Sequence, residues 1–188
     1  MINTPRVSSN GISHYLASYD ITCFDPAVQK ILLQLVLHRN RISIASILSA
    51  IKDWTPIEQL FYLEFIYLKV RECINPNIEI VPQYHVHSGN HRYRVDFKLS
   101  LPDEVKRSLA PITAFVECDS RAFHDRTAEE FTKERQRLRA LQRHGAKVYP
   151  FSGAEIRANA RRSVLECIRD LERELIARRE IIDEGLLG

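Results

Sequence analysis

The chain has 188 residues, 45% of them hydrophobic, and a formal net charge of +3 at pH 7. That length holds one sizeable core, so a compact domain with an appendage is expected, and the apolar content excludes a disordered chain. No apolar run is long enough to span a membrane, and Met1 to Gly11 lacks the basic start and apolar stretch of a secretory signal. The four cysteines, Cys23, Cys73, Cys118 and Cys167, form no CxxC pair, which argues against a zinc knuckle and fits a reducing, cytoplasmic setting.

Residues 1–22 show no clear period. Asp25-Pro26 reads as an N-cap followed by proline at the first helical position, and Val28, Ile31, Leu32, Leu35 and Val36 then recur at helical spacing. Ser43 to Lys52 carries a second helical stripe through Ile44, Ile47, Leu48 and Ile51, so a small helical hairpin is expected there. Thr55-Pro56-Ile57-Glu58 is a capping box, and Leu60 to Val70, apolar on nearly every side, reads as a buried central helix that ends before Pro76.

Two strands follow, joined by a hairpin turn at Ser88-Gly89-Asn90. Ile78, Ile80, Tyr84 and Val86 are expected on one face of the first strand. On the second, Tyr93, Val95, Phe97 and Leu99 alternate with Arg92, Arg94, Asp96 and Lys98. Thr113 to Asp119 is a third strand, with Phe115, Glu117 and Asp119 on one face. Thr127 and Glu130 form another capping box, opening a helix to about His144 with Phe131, Leu138 and Leu141 as its inner stripe and Gly145 as a left-handed cap. Lys147 to Phe151 is a short strand. Ser152 and Glu155 start a last helix with Val164, Ile168, Leu171 and Leu175 facing the core.

The chemistry gathers on the second and third strands. Carboxylates are rarely buried in strands without a partner. Asp96, Glu117 and Asp119 therefore face water, pair with cations or bind a metal. If the two strands pair, Asp96 and Glu117 meet on one face. Mg²⁺ takes hard oxygens from one or two carboxylates and leaves room for water and phosphate, which suits phosphodiester cleavage. From Phe131 to Lys147 there are six cations, Lys133, Arg135, Arg137, Arg139, Arg143 and Lys147, with Glu134 as the lone acid among them. A cationic helix beside an acid-lined site suits an anionic polymer, and a solvated helix face is the plain alternative. The alternating His85 and His87 with His91 are read as polar hairpin residues rather than a zinc site.

Several segments occur in a familiar order: Pro56-Ile57-Glu58-Gln59-Leu60, Tyr93-Arg94-Val95-Asp96-Phe97, Val116-Glu117-Cys118-Asp119 with Phe123-His124, the Arg135-containing helix, and Gly145 through Phe151-Ser152-Gly153-Ala154-Glu155-Ile156. The chain thereby resembles the PD-(D/E)XK nuclease superfamily, and within it the small very-short-patch-repair-like, DUF559-type endonucleases. The resemblance covers roughly residues 55–175. It implies an α/β fold, a restriction-endonuclease-like mixed sheet flanked by helices, with an N-terminal helical extension. The expected division is residues 1–54, a tail and helical hairpin packing on the core, and residues 55–188, the nuclease-like core.

The resemblance also implies roles. Asp96 and Glu117 are the two motif acids, binding Mg²⁺, or Mn²⁺ in its place, with the Cys118 backbone carbonyl. Asp119 stands where the family usually has lysine, so it is a further ligand or a holder of the attacking water, and the general base stays open. Lys98 is a weaker candidate for the missing cation. Glu58 joins the site or serves only its capping box, and His124 protonates the leaving oxygen or touches phosphate. Lys133, Arg135, Arg137 and Arg139 bind nucleic acid, with Lys133, Arg137 and Arg139 turned away from the core and Arg135 nearer its edge. The cysteine and histidine cluster of the mismatch-repair enzymes' zinc site is missing, so mismatch specificity does not carry over. The implied function is a metal-dependent endonuclease or nickase acting on DNA. The alternative is a nucleic-acid-binding or defence or toxin-system interaction protein on the same fold with weak or no cleavage. A homodimer, or a protein partner held through the N-terminal helices, is open; a membrane partner is not expected.

Overall fold

The structure is a computed structural model, and it describes residues 19–38, 42–89, 91–103, 109–119 and 127–183. The chain divides into two compact units, Met1–Cys73 and Ile74–Gly188.

The described part of the first unit is helical. Helix α1 (Pro26–Val36) starts where expected, with the Asp25 carboxylate accepting from the Ala27 N–H and Pro26 in the first turn. Helix α2 (Ile44–Ile51) is capped by Ser43, and α3 (Pro56–Val70) by the reciprocal Thr55–Glu58 box. Such caps are worth about 0.5–2 kcal/mol each. The packing follows the stripes: Val28, Leu32 and Leu35 of α1, Ile44 and Ile51 of α2, and Phe61, Leu63 and Phe65 of α3 are almost wholly buried, and α1 packs on both other helices. The Gln59 amide spans the α2–α3 connection, donating to the carbonyls of Ile51 and Trp54.

The second unit is α/β, with a four-stranded mixed sheet in the order β1 (Glu79–Ser88), β2 (His91–Leu101), β3 (Ile112–Asp119), β4 (Lys147–Ser152). The first three strands are antiparallel, and β4 runs parallel to β3. That parallel pair needs a crossover, supplied by helix α4 (Ala128–Gln142). Helix α4 packs on β1 and β4, and α5 (Gly153–Asp183) packs on β2, β3 and β4. One core cluster joins Val86, Val95, Phe115, Leu141 of α4 and Ala146. Val164, Cys167, Ile168 and Leu171 of α5 are buried, and the Tyr149 hydroxyl donates to Asp170 of α5 at 2.6 Å. The sheet is thus flanked by helices. Among the described residues no helix is long and apolar enough to cross a membrane.

Most boundaries follow their local signals. Ser88 pairs with His91 across the tight turn, where Gly89 adopts φ +58°. Thr127–Glu130 and Ser152–Glu155 both close as capping boxes, and Gly145 sits at φ +71°. Two expectations are corrected. The last helix is interrupted at Asn159, whose extended backbone breaks it and whose side chain accepts from the Arg162 N–H at 3.0 Å as an internal N-cap.

The even alternation along β1 and β2 also fails. Val95 lies opposite Tyr84, which stacks on Phe115, and Lys98 pairs directly with Phe115. Val95 and Lys98, three residues apart, therefore share the α4 face. Phe97 pairs with Val116, and so takes the other face from Phe115's. The phase changes at Asp96 and Gln83, which the β1–β2 register skips between Pro82–Phe97 and Tyr84–Val95, and Gln83 has φ +50°. Both strands switch faces there. Ile80 consequently pairs with Leu99 on the α5 side, whereas Tyr84 and Val86 face α4.

Candidate active site

The β2–β3 ladder runs from Leu101–Ile112 to Phe97–Val116. One residue beyond it, Asp96 turns its carboxylate across to β3, where Oδ2 accepts the Cys118 N–H at 2.7 Å. A side chain thus replaces the next main-chain rung. This fixes the Asp96 carboxylate beside Glu117, close enough for its charge to act on the Glu117 carboxyl.

Glu117 and Asp119 follow Phe115 on the α4 face of β3. With Cys118 they form one wall of a cleft of about 390 Å³. The opposite wall comes from α4, through Glu130, Phe131, Glu134, Arg135, Arg137 and Leu138, and the end of β4 closes the floor at Pro150 to Ser152. The sequence places this cleft because β3 and β4 end together, with Asp119 paired to Ser152, beside the helix that connects them.

Glu117 is buried, with only 9% of its surface exposed. Burial pushes its carboxyl up to about 7; Arg137 works against that rise, and the charges of Asp96 and Glu134 add to it. Arg137 Nη2 donates to Glu117 Oε1 at 2.6 Å and to the Arg94 carbonyl at 2.6 Å, while Nη1 reaches Glu134 at 3.2 Å. Burial opposes the charge on Arg137, but Glu117 and Glu134 more than compensate, so its pKa rises. The pair attracts, yet for Glu117 desolvation outweighs the attraction. Glu117 is therefore a carboxyl poised to ionise near neutrality, when a further cation arrives.

The other residues singled out in the sequence are distributed as follows. Arg135 lies over the Phe131 ring at 4.6 Å on the cleft wall. Phe131 is 42% exposed, so it is not part of an inner stripe; Ala140 and Leu141 are the buried apolar residues among the described side chains of α4, with Leu138, Arg137 and Glu134 half-buried. The expectation that Arg137 faces away from the core is likewise corrected: it points to Glu117. Lys133 is exposed and pairs with Glu129 at 2.7 Å. Arg139 lies outside the cleft, in a second groove described below. The Lys98 ammonium stands over the Tyr84 ring at 4.6 Å. Glu58 lies in the first unit, where its carboxylate accepts from the Thr55 N–H and hydroxyl. His124 lies outside the described residues.

Sequence reading missed Arg137 as the partner of Glu117. A signal was present: Glu134, Arg137, Leu138 and Leu141 recur at helical spacing, and the first two belong to that same buried stripe.

The donor set suits a hard divalent cation. Asp96, Glu117, Asp119 and the Cys118 carbonyl are all oxygen donors at one end of β2 and β3, and the Glu117 carboxyl is raised first by burial and only secondarily by the charges of Asp96 and Glu134. Among the described residues no three His, Cys, Asp or Glu side chains converge as a ready-made metal cage. One or two carboxylates completed by water and phosphate are the usual Mg²⁺ arrangement. Comparison with family models, with curated proteins and with solved structures finds no match for this chain.

Proposed function

We propose that this protein is a Mg²⁺-dependent endonuclease or nickase that hydrolyses phosphodiester bonds in DNA, on a restriction-endonuclease-like core of the PD-(D/E)XK kind. The observation that carries the reading is the anchoring of Asp96 on the Cys118 N–H beside Glu117, whose buried carboxyl is raised to about 7. A structural strand acid has no use for such a neighbour, whereas a cation site does.

Asp96, Glu117, the Cys118 carbonyl and, at the cleft mouth, Asp119 would hold Mg²⁺ or Mn²⁺. Bound there, the ion supplies Lewis acidity to the scissile phosphate and a lowered pKa to water. The chain's own residues do the rest. Arg137 orients the Glu117 carboxylate through its bond to the Arg94 carbonyl, which fixes the guanidinium between β2 and α4. Asp119 lines the cleft and takes the proton of the attacking water. Arg135, stiffened over Phe131, meets a non-bridging phosphate oxygen. His124 remains the candidate donor to the leaving oxygen.

A second reading, nucleic-acid binding with weak or no cleavage, draws on the same ion pair: Arg137 already occupies the Glu117 carboxylate. Purified protein incubated with supercoiled plasmid in Mg²⁺, in Mn²⁺ and in EDTA separates the two. Nicked or linear product that vanishes in EDTA supports the nuclease; retention of DNA without product supports the second reading.

A further inference from the structure

A second groove, of about 320 Å³, lies between the β1–β2 hairpin and α4. Ser88, His91 and Tyr93 line it from the hairpin, and Gln136, Arg139 and Arg143 from the helix. Positions 136, 139 and 143 fall at helical spacing, so they form one flank of α4. Glu134, on the cleft, is two residues from Gln136 and so about 200° around the helix from it. The groove and the cleft are therefore separate, on different flanks of one helix.

Three properties of the groove coincide. Its cations are uncommitted: among the described residues neither Arg139 nor Arg143 has a carboxylate partner, while Lys133, Arg137 and Arg173 each do. Its rings are arranged, with His91 and Tyr93 stacked at 6.0 Å between centroids and 30° between planes. Tyr93 also packs against the core cluster and is half-buried, while His91 is exposed. Of its remaining lining, Ser88, Gln136 and Ala140, the Ser88 hydroxyl and the Gln136 amide offer both donors and acceptors.

We propose that this groove binds a single-stranded stretch of DNA, with Arg139 and Arg143 on phosphates and one base stacked on the His91–Tyr93 ring pair. Unpaired guanidiniums on one helix flank match a phosphodiester, and an aromatic face matches a base free of its stack. A duplex offers the phosphates but not the base face. Arg143 lies nine residues beyond Glu134, about 14 Å along the helix axis. A strand seated in the groove and crossing the exposed side of α4 would thus enter the cleft a few nucleotides away. The proposal rests on the nuclease reading and names the substrate form that site prefers: a frayed, flapped or otherwise single-stranded region.

The test is equilibrium binding of the full chain, in EDTA, to fluorescent oligothymidylate and to a duplex of equal length across a salt series. Arg139→Gln with Arg143→Gln is expected to weaken oligothymidylate binding about tenfold or more and to make the salt slope shallower by about 1.4, for two lost phosphate contacts. His91→Ala with Tyr93→Leu, which keeps an apolar residue on the core cluster, is expected to weaken oligothymidylate about tenfold with the salt slope unchanged and duplex binding little changed. Equal losses on duplex and single strand in the ring variant, or no loss in either variant while wild-type protein still cuts plasmid, overturn the groove and leave the nuclease reading standing. Wild-type protein that neither binds DNA nor cuts it overturns both.

Discussion

Arg137 and Glu117 form the central ion pair of the cleft, 2.6 Å apart, and the same Arg137 nitrogen also donates to the Arg94 carbonyl. The carboxylate is thereby held by a cation that is itself tied to the neighbouring strand. Even so, burial leaves the Glu117 carboxyl near 7 rather than at its ordinary 4.5.

A pH dependence follows. Between 4.5 and about 7 the folded protein holds a proton on Glu117 that the unfolded chain has released. Stability from this carboxyl is therefore full below pH 4.5 and is lost as pH rises through about 7. The loss is on the order of 3 kcal/mol. Glu117→Gln should remove this component, so that urea unfolding at pH 5 and pH 8 differs less in the variant than in wild type. An unchanged difference would mean that Glu117 does not carry it.

Divalent cations should reverse that loss. A ligand that binds only the folded state stabilises it, by about 2.7 kcal/mol at a hundredfold excess over its Kd. Thermal melts at pH 8 should therefore move upward with Mg²⁺ in wild type. They should stay in place for Asp96→Asn and for Glu117→Gln. Equal Mg²⁺ shifts in all three proteins would put the cation elsewhere.

Asp96 has a structural duty alongside its proposed chemical one, because its carboxylate accepts the Cys118 N–H at 2.7 Å. Asp96→Ala leaves that donor without its partner and should cost about 1–3 kcal/mol. Asp96→Asn keeps an acceptor oxygen and should cost less. Denaturant midpoints with unchanged m-values would show the difference, and equal midpoints for the two variants would remove the structural duty.

The identity of the elements was legible in the sequence because each carries a local signal: Asp25-Pro26, the Thr55–Glu58, Thr127–Glu130 and Ser152–Glu155 boxes, and Gly89 and Gly145 at positive φ. The approach of Asp96 to Glu117 was legible in part: antiparallel pairing of the two strands brings them to adjacent ends, but the bond of Asp96 to the Cys118 N–H that seats the carboxylate there was not. What was not legible depends on tertiary contact. The phase change at Gln83 and Asp96 is set by two strands at once, and a period of two cannot announce its own interruption. Phe131 was taken for core because it is apolar, but it lies on the cleft under Arg135; Arg137 was taken for solvent because it is charged, but Glu117 and the Arg94 carbonyl hold it inward. Asn159 broke the last helix through a cap that its side chain supplies within an otherwise helical stripe.

The Asp103–Arg179 pair is another contact that spacing alone does not reveal. Arg179 meets Asp103 through Nε at 3.1 Å and Nη2 at 2.7 Å, joining the far end of α5 to the residues just after β2. Asp103 is 3% exposed. Arg179→Ala removes two charge-assisted hydrogen bonds from a buried carboxylate and should cost about 1–3 kcal/mol. Arg179→Lys should recover only part of it, since one ammonium cannot reproduce two parallel bonds. Full recovery in chemical denaturation would show that charge alone matters there.

The central claim is that Asp96 and Glu117 form the metal-dependent cutting site. The direct measurement is the rate of supercoiled-plasmid cleavage in Mg²⁺ by wild type, Asp96→Asn and Glu117→Gln, each shown to be folded by its circular dichroism spectrum. The account predicts cleavage by wild type, lost in EDTA, and a fall of about a hundredfold or more in either variant, with DNA binding retained. Wild-type rates in both folded variants would contradict it.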